Sequence, residues 1–171
     1  MIAVVILVLI VPMLGVLAAL GIYGVRRYLQ SAKTSEAKNT VGALIRAEES
    51  AFERTKSEEG RGRLCEASKP VPSSMGEVAG RKYLPSAGDF DNDAGWKCLK
   101  FSLSSPIYYQ YGHYRSGFVS GLVSGTEAFE IRAHGDLDAD GKPSTFARAG
   151  EVDGSGSLKV SSQLFVSSEF E

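Results

Sequence analysis

The chain has 171 residues, 43% of them hydrophobic and 23% charged, with a formal net charge of -1. That balance supplies no basic field to draw in nucleic acid. Two histidines and two cysteines leave an active site of those residue types little to work with, so nothing in the composition favours catalysis.

The first element is apolar. No charged residue occurs from Ile2 to Val25, about 24 positions against the roughly 20 that a helix needs to cross a bilayer. Val, Ile, Leu and Ala dominate, with Pro12 as a candidate kink and Gly15, Gly21 and Gly24 as small packing sites. Three readings compete. A cleaved signal peptide has a charged start and a shorter apolar core, whereas this chain opens Met1-Ile2-Ala3. A helix inside a soluble domain would need apolar cover on every side. A membrane-spanning helix over residues 1–25 fits both length and composition and is the expected one. Arg26, Arg27 and Lys33 follow it, and the positive-inside rule would put that end in the cytoplasm; the two cysteines point the other way and are given more weight.

The helical pattern continues over residues 26–60. Ser31 to Arg54 holds no Pro and a single Gly, Gly42. Ala37, Val41, Leu44, Ile45, Ala51 and Phe52 recur at helical spacing, which predicts one packed stripe. Glu36, Lys38, Glu48, Glu49 and Glu53 are expected on the solvated face. Gly60-Arg61-Gly62 marks the expected helix end.

After Gly62 the composition shifts to Pro, Gly, Ser and Asp, and Pro70, Pro72, Pro85 and Pro106 break up long elements. Strand signals follow: Leu99 to Leu103 alternates, Ile107 to Tyr114 is aromatic-rich, Ala128 to Ala133 alternates, and Ser144 to Ala149 and Leu158 to Val166 complete the set. Residues 61–171 therefore form the predicted β-rich head. An antiparallel sheet laid on the helix is the economical architecture, giving an α+β fold.

Particular residues carry a resemblance to a family. The run Gly15-Val16-Leu17-Ala18-Ala19-Leu20-Gly21-Ile22-Tyr23-Gly24-Val25, then Ser35-Glu36-Ala37-Lys38-Asn39 and Ala43-Leu44, resembles the N-terminal helix of type IV pilins. Tyr108-Tyr109-Gln110-Tyr111 and Gly135-Asp136-Leu137-Asp138-Ala139-Asp140-Gly141 look like late segments of pilins and pseudopilins. The resemblance implies a long N-terminal helix on a small antiparallel sheet, and a subunit of a fimbrial filament. It also implies self-association or assembly with other pilin-like subunits, and placement in the inner membrane with a periplasmic head or in a cell-surface pilus.

The sequence departs from the family pattern at its start. It shows neither the basic leader nor the Gly-Phe junction, and the place of the family's assembly glutamate falls near Ile6. The place of the family's helix-kinking proline falls near Tyr23. Ile6, Pro12, Gly15 and Gly21 are thus the candidate anchor and assembly positions. A tethered module that keeps the fold without polymerising is the alternative expectation, and it goes with an unprocessed Met1.

On the orientation that the resemblance implies, Cys65 and Cys98 lie outside the cytoplasm and are expected to pair. Two unpaired buried cysteines are the bland alternative, and the spacing suits neither a zinc site nor a CxxC motif. Asp136, Asp138 and Asp140 with Gly141 place three carboxylates on alternate residues of a turn, a donor set that suits calcium. The twelfth position of an EF-hand loop would fall on Ala147, so the loop is not completed, and a solvated turn explains the same residues. Asp89, Asp91 and Asp93 form a second such cluster. His113 is expected as a packed or surface residue, His134 as a strand-end residue rather than a partner of the acidic turn, and Trp96 as a packing residue beside the disulfide. There is no GxSxG elbow and no phosphate-binding glycine loop. The expectation is therefore no enzyme, no required cofactor and no small-molecule substrate.

Overall fold

The computed structural model describes residues 2–123 and 125–169, with side chains described from Ile10 onward except Arg26. The chain divides into two compact units, Met1–Lys33 and Thr34–Glu171. Helix α1 (Ile2–Glu59) contributes to both.

In the first unit every described side chain from Ile10 to Leu29 is exposed. Leu14, Leu17, Leu20 and Ile22 are among them. α1 is long and apolar enough here to cross a membrane, judged by length and composition. Pro12 lies inside the helix.

In the second unit α1 turns one face inward. Ala37, Val41, Leu44, Ile45, Ala51 and Phe52 are all buried, as the three-and-four spacing of the stripe requires. The helix stops where Gly60 adopts a left-handed backbone (φ +75°) and its N–H donates to the Lys56 carbonyl at 3.0 Å, a conformation that glycine adopts without a side-chain penalty. Glu48 departs from expectation. It is fully buried rather than solvated, because it sits four residues after Leu44 and four before Phe52, on the packed face.

Among the described residues the sheet has five strands: β1 (Gln110–Tyr114), β2 (Ala128–Gly135), β3 (Ser144–Val152), β4 (Leu158–Val160) and β5 (Phe165–Ser167). The order is β1-β2-β3-β4, and β5 also pairs with β3; all pairings are antiparallel. The fold class is therefore α+β, in the layout that the resemblance implies. The expected strand over Leu158 to Val166 is split. Both of its halves pair with β3, β4 against Gly150–Val152 and β5 against Thr145–Ala147.

Leu99 to Leu103 does not form a strand. Leu99 instead ends helix α3 (Ala94–Leu99), and Lys100 closes it in a left-handed conformation. The Asp93 carboxylate starts that helix by accepting the Trp96 N–H at 3.1 Å. One turn earlier, Asp89 accepts the Ser86 N–H at 2.7 Å and the Tyr83 hydroxyl at 2.9 Å, which starts helix α2 (Ala87–Asp91). Two members of the second acidic cluster are thus helix caps. Trp96 is buried, packs edge-on against Phe90 at 5.3 Å, and donates its indole N–H to the Lys69 carbonyl at 2.9 Å.

Candidate functional site

Cys65 and Cys98 are joined, with Cα atoms 5.7 Å apart. The bridge fastens the segment that follows α1 to α3, beside the core that holds Trp96. Arg115 holds the same segment from the sheet side. Its guanidinium donates to the carbonyls of Cys65 (3.0 Å) and Ala128 (2.8 Å).

Two acids on α1 meet the head, Glu48 buried and Glu36 half-buried rather than on the expected solvated face. Glu36 Oε1 accepts the Tyr108 N–H at 2.9 Å and the Tyr111 hydroxyl at 3.1 Å. Burial raises its pKa, against those hydrogen bonds and the nearby Lys82 charge. Three turns on, Glu48 Oε1 accepts the Cys65 N–H at 2.8 Å. Its other oxygen faces His113 Nε2 at 3.5 Å, and neither side chain is exposed. Burial pushes Glu48 up to about 7 despite Arg115 and Arg54, and pushes His113 down to about 4. Composition and motif scanning pass over this pair, because a lone Glu in a charge-rich helix reads as surface. The spacing of the apolar stripe was the signal that could have found it.

Another buried carboxylate, Glu130, accepts the N–H groups of Val119 (3.1 Å) and Ser120 (3.0 Å), the Ser120 hydroxyl and the Arg132 guanidinium. Burial opposes its ionised form, and these bonds outweigh burial, so its pKa is lowered. Arg132 also donates to the Gly117 carbonyl and lies over the Tyr114 ring at 4.1 Å. This group pins the glycine- and serine-rich loop after β1 onto β2.

The acidic turn between β2 and β3 brings Asp136, Asp138 and Asp140 together, with carboxylate oxygens within 4.8 Å of one another. The same oxygens already accept backbone N–H groups. Asp136 takes those of Asp140 (3.2 Å) and Gly141 (3.0 Å), and Asp140 takes that of Lys142 (2.8 Å). Ala139 (φ +62°) and Gly141 (φ +89°) are left-handed within it. The donor set is chemically suited to a hard cation, yet the hydrogen bonds alone account for the turn. His134 stands at the end of β2, half-buried, with Nδ1 2.9 Å from the Thr145 hydroxyl.

Of the candidate anchor positions, Ile6 lies among residues 2–9, whose side chains fall outside the described residues. Pro12 is exposed, and a methyl group added at Gly15 or Gly21 would meet nothing within 4 Å. Cys65 and His113 are brought into one neighbourhood by Glu48; the anchor positions and the acidic turn lie elsewhere in the chain.

Comparison with protein-family models, with curated proteins and with solved structures found no match to this chain, so its α+β layout and the geometry above carry the functional reading.

Proposed function

We propose that this chain is a structural subunit of a type IV pilus-like or pseudopilus-like filament, with a minor-pilin role included. The apolar part of α1 is the membrane and assembly element, and the β-rich head is the extracytoplasmic surface. One observation carries the reading. The head buries an apolar core of its own, whereas the charge-free stretch from Ile10 to Val25 presents an apolar surface with every side chain exposed. Such a surface needs lipid or other apolar helices around it. The Cys65–Cys98 bridge supports placement of the head in an oxidising compartment. The reading assigns the head no catalysis and no obligatory cofactor.

A permanently tethered, non-polymerising module with the same fold is the second reading. The apolar Ile6, near the place where the resembled family has its assembly glutamate, favours it. Surface appendages sheared from producing cells and analysed by mass spectrometry separate the two. Recovery of the chain in that fraction supports the filament subunit. Confinement to the membrane fraction supports the tethered module, and recovery as a free soluble protein contradicts both.

A further inference from the structure

The Glu48–His113 contact has one arrangement of protons that satisfies its atoms without burying net charge. His113 Nδ1 lies 2.9 Å from the Glu66 carbonyl. A carbonyl only accepts, so Nδ1 carries a proton, and in the neutral ring Nε2 is then a bare acceptor. Glu48 Oε2 faces that acceptor at 3.5 Å. Both atoms are buried, and neither has another hydrogen-bond partner among the described residues. An ionised Glu48 would set two buried acceptors against each other, which costs about the full desolvation of each. A proton on Oε2 turns the clash into an O–H to N hydrogen bond.

We propose that Glu48 and His113 form a proton-operated latch: a single proton on Glu48 Oε2 is donated to His113 Nε2, tying α1 to β1 and to the disulfide-bearing segment, and its loss loosens that junction. The other Glu48 oxygen holds the Cys65 N–H, so one carboxyl spans both attachments. Several groups face the pair. Arg54 comes from α1, Arg115 from the end of β1, and Asp93 from the N-cap of α3. Phe129 of β2 stacks on the imidazole at 5.6 Å. Arg54 and Arg115 favour an ionised Glu48, but both spend donors on carbonyls, Arg54 on that of Cys98 at 2.8 Å. Arg115 also disfavours an imidazolium.

The sign follows from proton counting. Glu48 is raised from an ordinary 4.5 to about 7 in the folded chain. Its contribution is therefore complete below 4.5 and is lost as pH rises to about 7. His113 is held down to about 4 from 6.5, and it acts in the opposite sense between those values. A Glu48→Gln variant isolates the glutamate, since its amide N–H can donate to Nε2 at every pH while its carbonyl keeps the Cys65 N–H.

The test is equilibrium unfolding of the full chain in detergent micelles, wild type against Glu48→Gln, between pH 4.5 and 7. The ratio of wild-type to variant folding constants should fall on the order of a hundredfold as pH rises across that window. A ratio that rises with pH would mean a carboxylate–imidazolium pair and would overturn the proposal, as would a flat ratio. Nitrogen NMR of His113 in the wild-type chain at pH 6 gives an answer that does not depend on the variant folding. A protonated Nδ1 with a bare, hydrogen-bonded Nε2 is expected; an imidazolium, or a proton on Nε2 in the neutral ring, overturns it.

Discussion

Two stretches of α1 share one secondary structure and opposite relations to their surroundings. From Ile10 to Leu29 the apolar side chains are exposed on every face, whereas from Thr34 to Phe52 only one stripe is apolar and it is buried. Up to Val25 the first stretch carries no charge, and so it has no polar face and no preferred side to turn toward a core. The second divides its residues at helical spacing, which commits it to one partner, the head. Helix propensity does not distinguish the two. What differs is the distribution of apolar residues around the axis, and this decides whether a helix is solvated by lipid and other helices or by its own domain.

The largest expected effect breaks the first stretch alone. Leu17→Lys with Leu20→Lys should cost about 5–7 kcal/mol of membrane insertion, at about 2.5–3.5 kcal/mol per lysine near a helix centre. Membrane fractionation would show release of the chain, with the melting of the head unchanged. The converse change acts on the head. Trp96→Ala should cost it about 3–5 kcal/mol, read by denaturant unfolding, while membrane retention stays as in the wild type. Replacing both Cys65 and Cys98 by Ala should cost about 3–4 kcal/mol, because the bridge closes a loop between residues 33 positions apart.

A smaller effect sharpens the comparison at the packed face of α1. Glu48→Ala leaves the Cys65 N–H and His113 Nε2 without their partner, at about 2–3 kcal/mol, whereas Glu48→Gln at pH 7 should be far milder. The smallest effect is at the surface. Lys38 and Glu169 pair at 2.6 Å but are roughly a third or more exposed, so Lys38→Ala should change stability by less than about 1 kcal/mol.

Much of this fold was legible because its signals are long. The charge-free run of α1, the buried stripe and the alternation of β2 extend over several periods each. Short elements were harder to read. α2 and α3 span one to two turns, so periodicity has no room to appear, and the alternation of Leu99, Phe101 and Leu103 imitated a strand. The caps Asp89 and Asp93 were read as an acidic cluster, since a carboxylate that starts a helix and one that solvates a turn look alike in sequence. For Glu48 residue type points outward, whereas position decides the outcome. Its register with Leu44 and Phe52 already placed it inside. The Cys65–Cys98 pairing was expected, but the carboxyl that holds the Cys65 N–H, and through it His113, depends on contacts between residues far apart in the chain.

The most direct measurement for the central claim is alkaline extraction of membranes from cells producing the full chain, followed by immunodetection and intact mass. Retention in the pellet, with residues 10–29 intact and release on Leu17→Lys with Leu20→Lys, is the predicted result. Release of the intact wild-type chain into the supernatant would contradict the account, because the apolar stretch of α1 would then have found its cover somewhere other than the membrane.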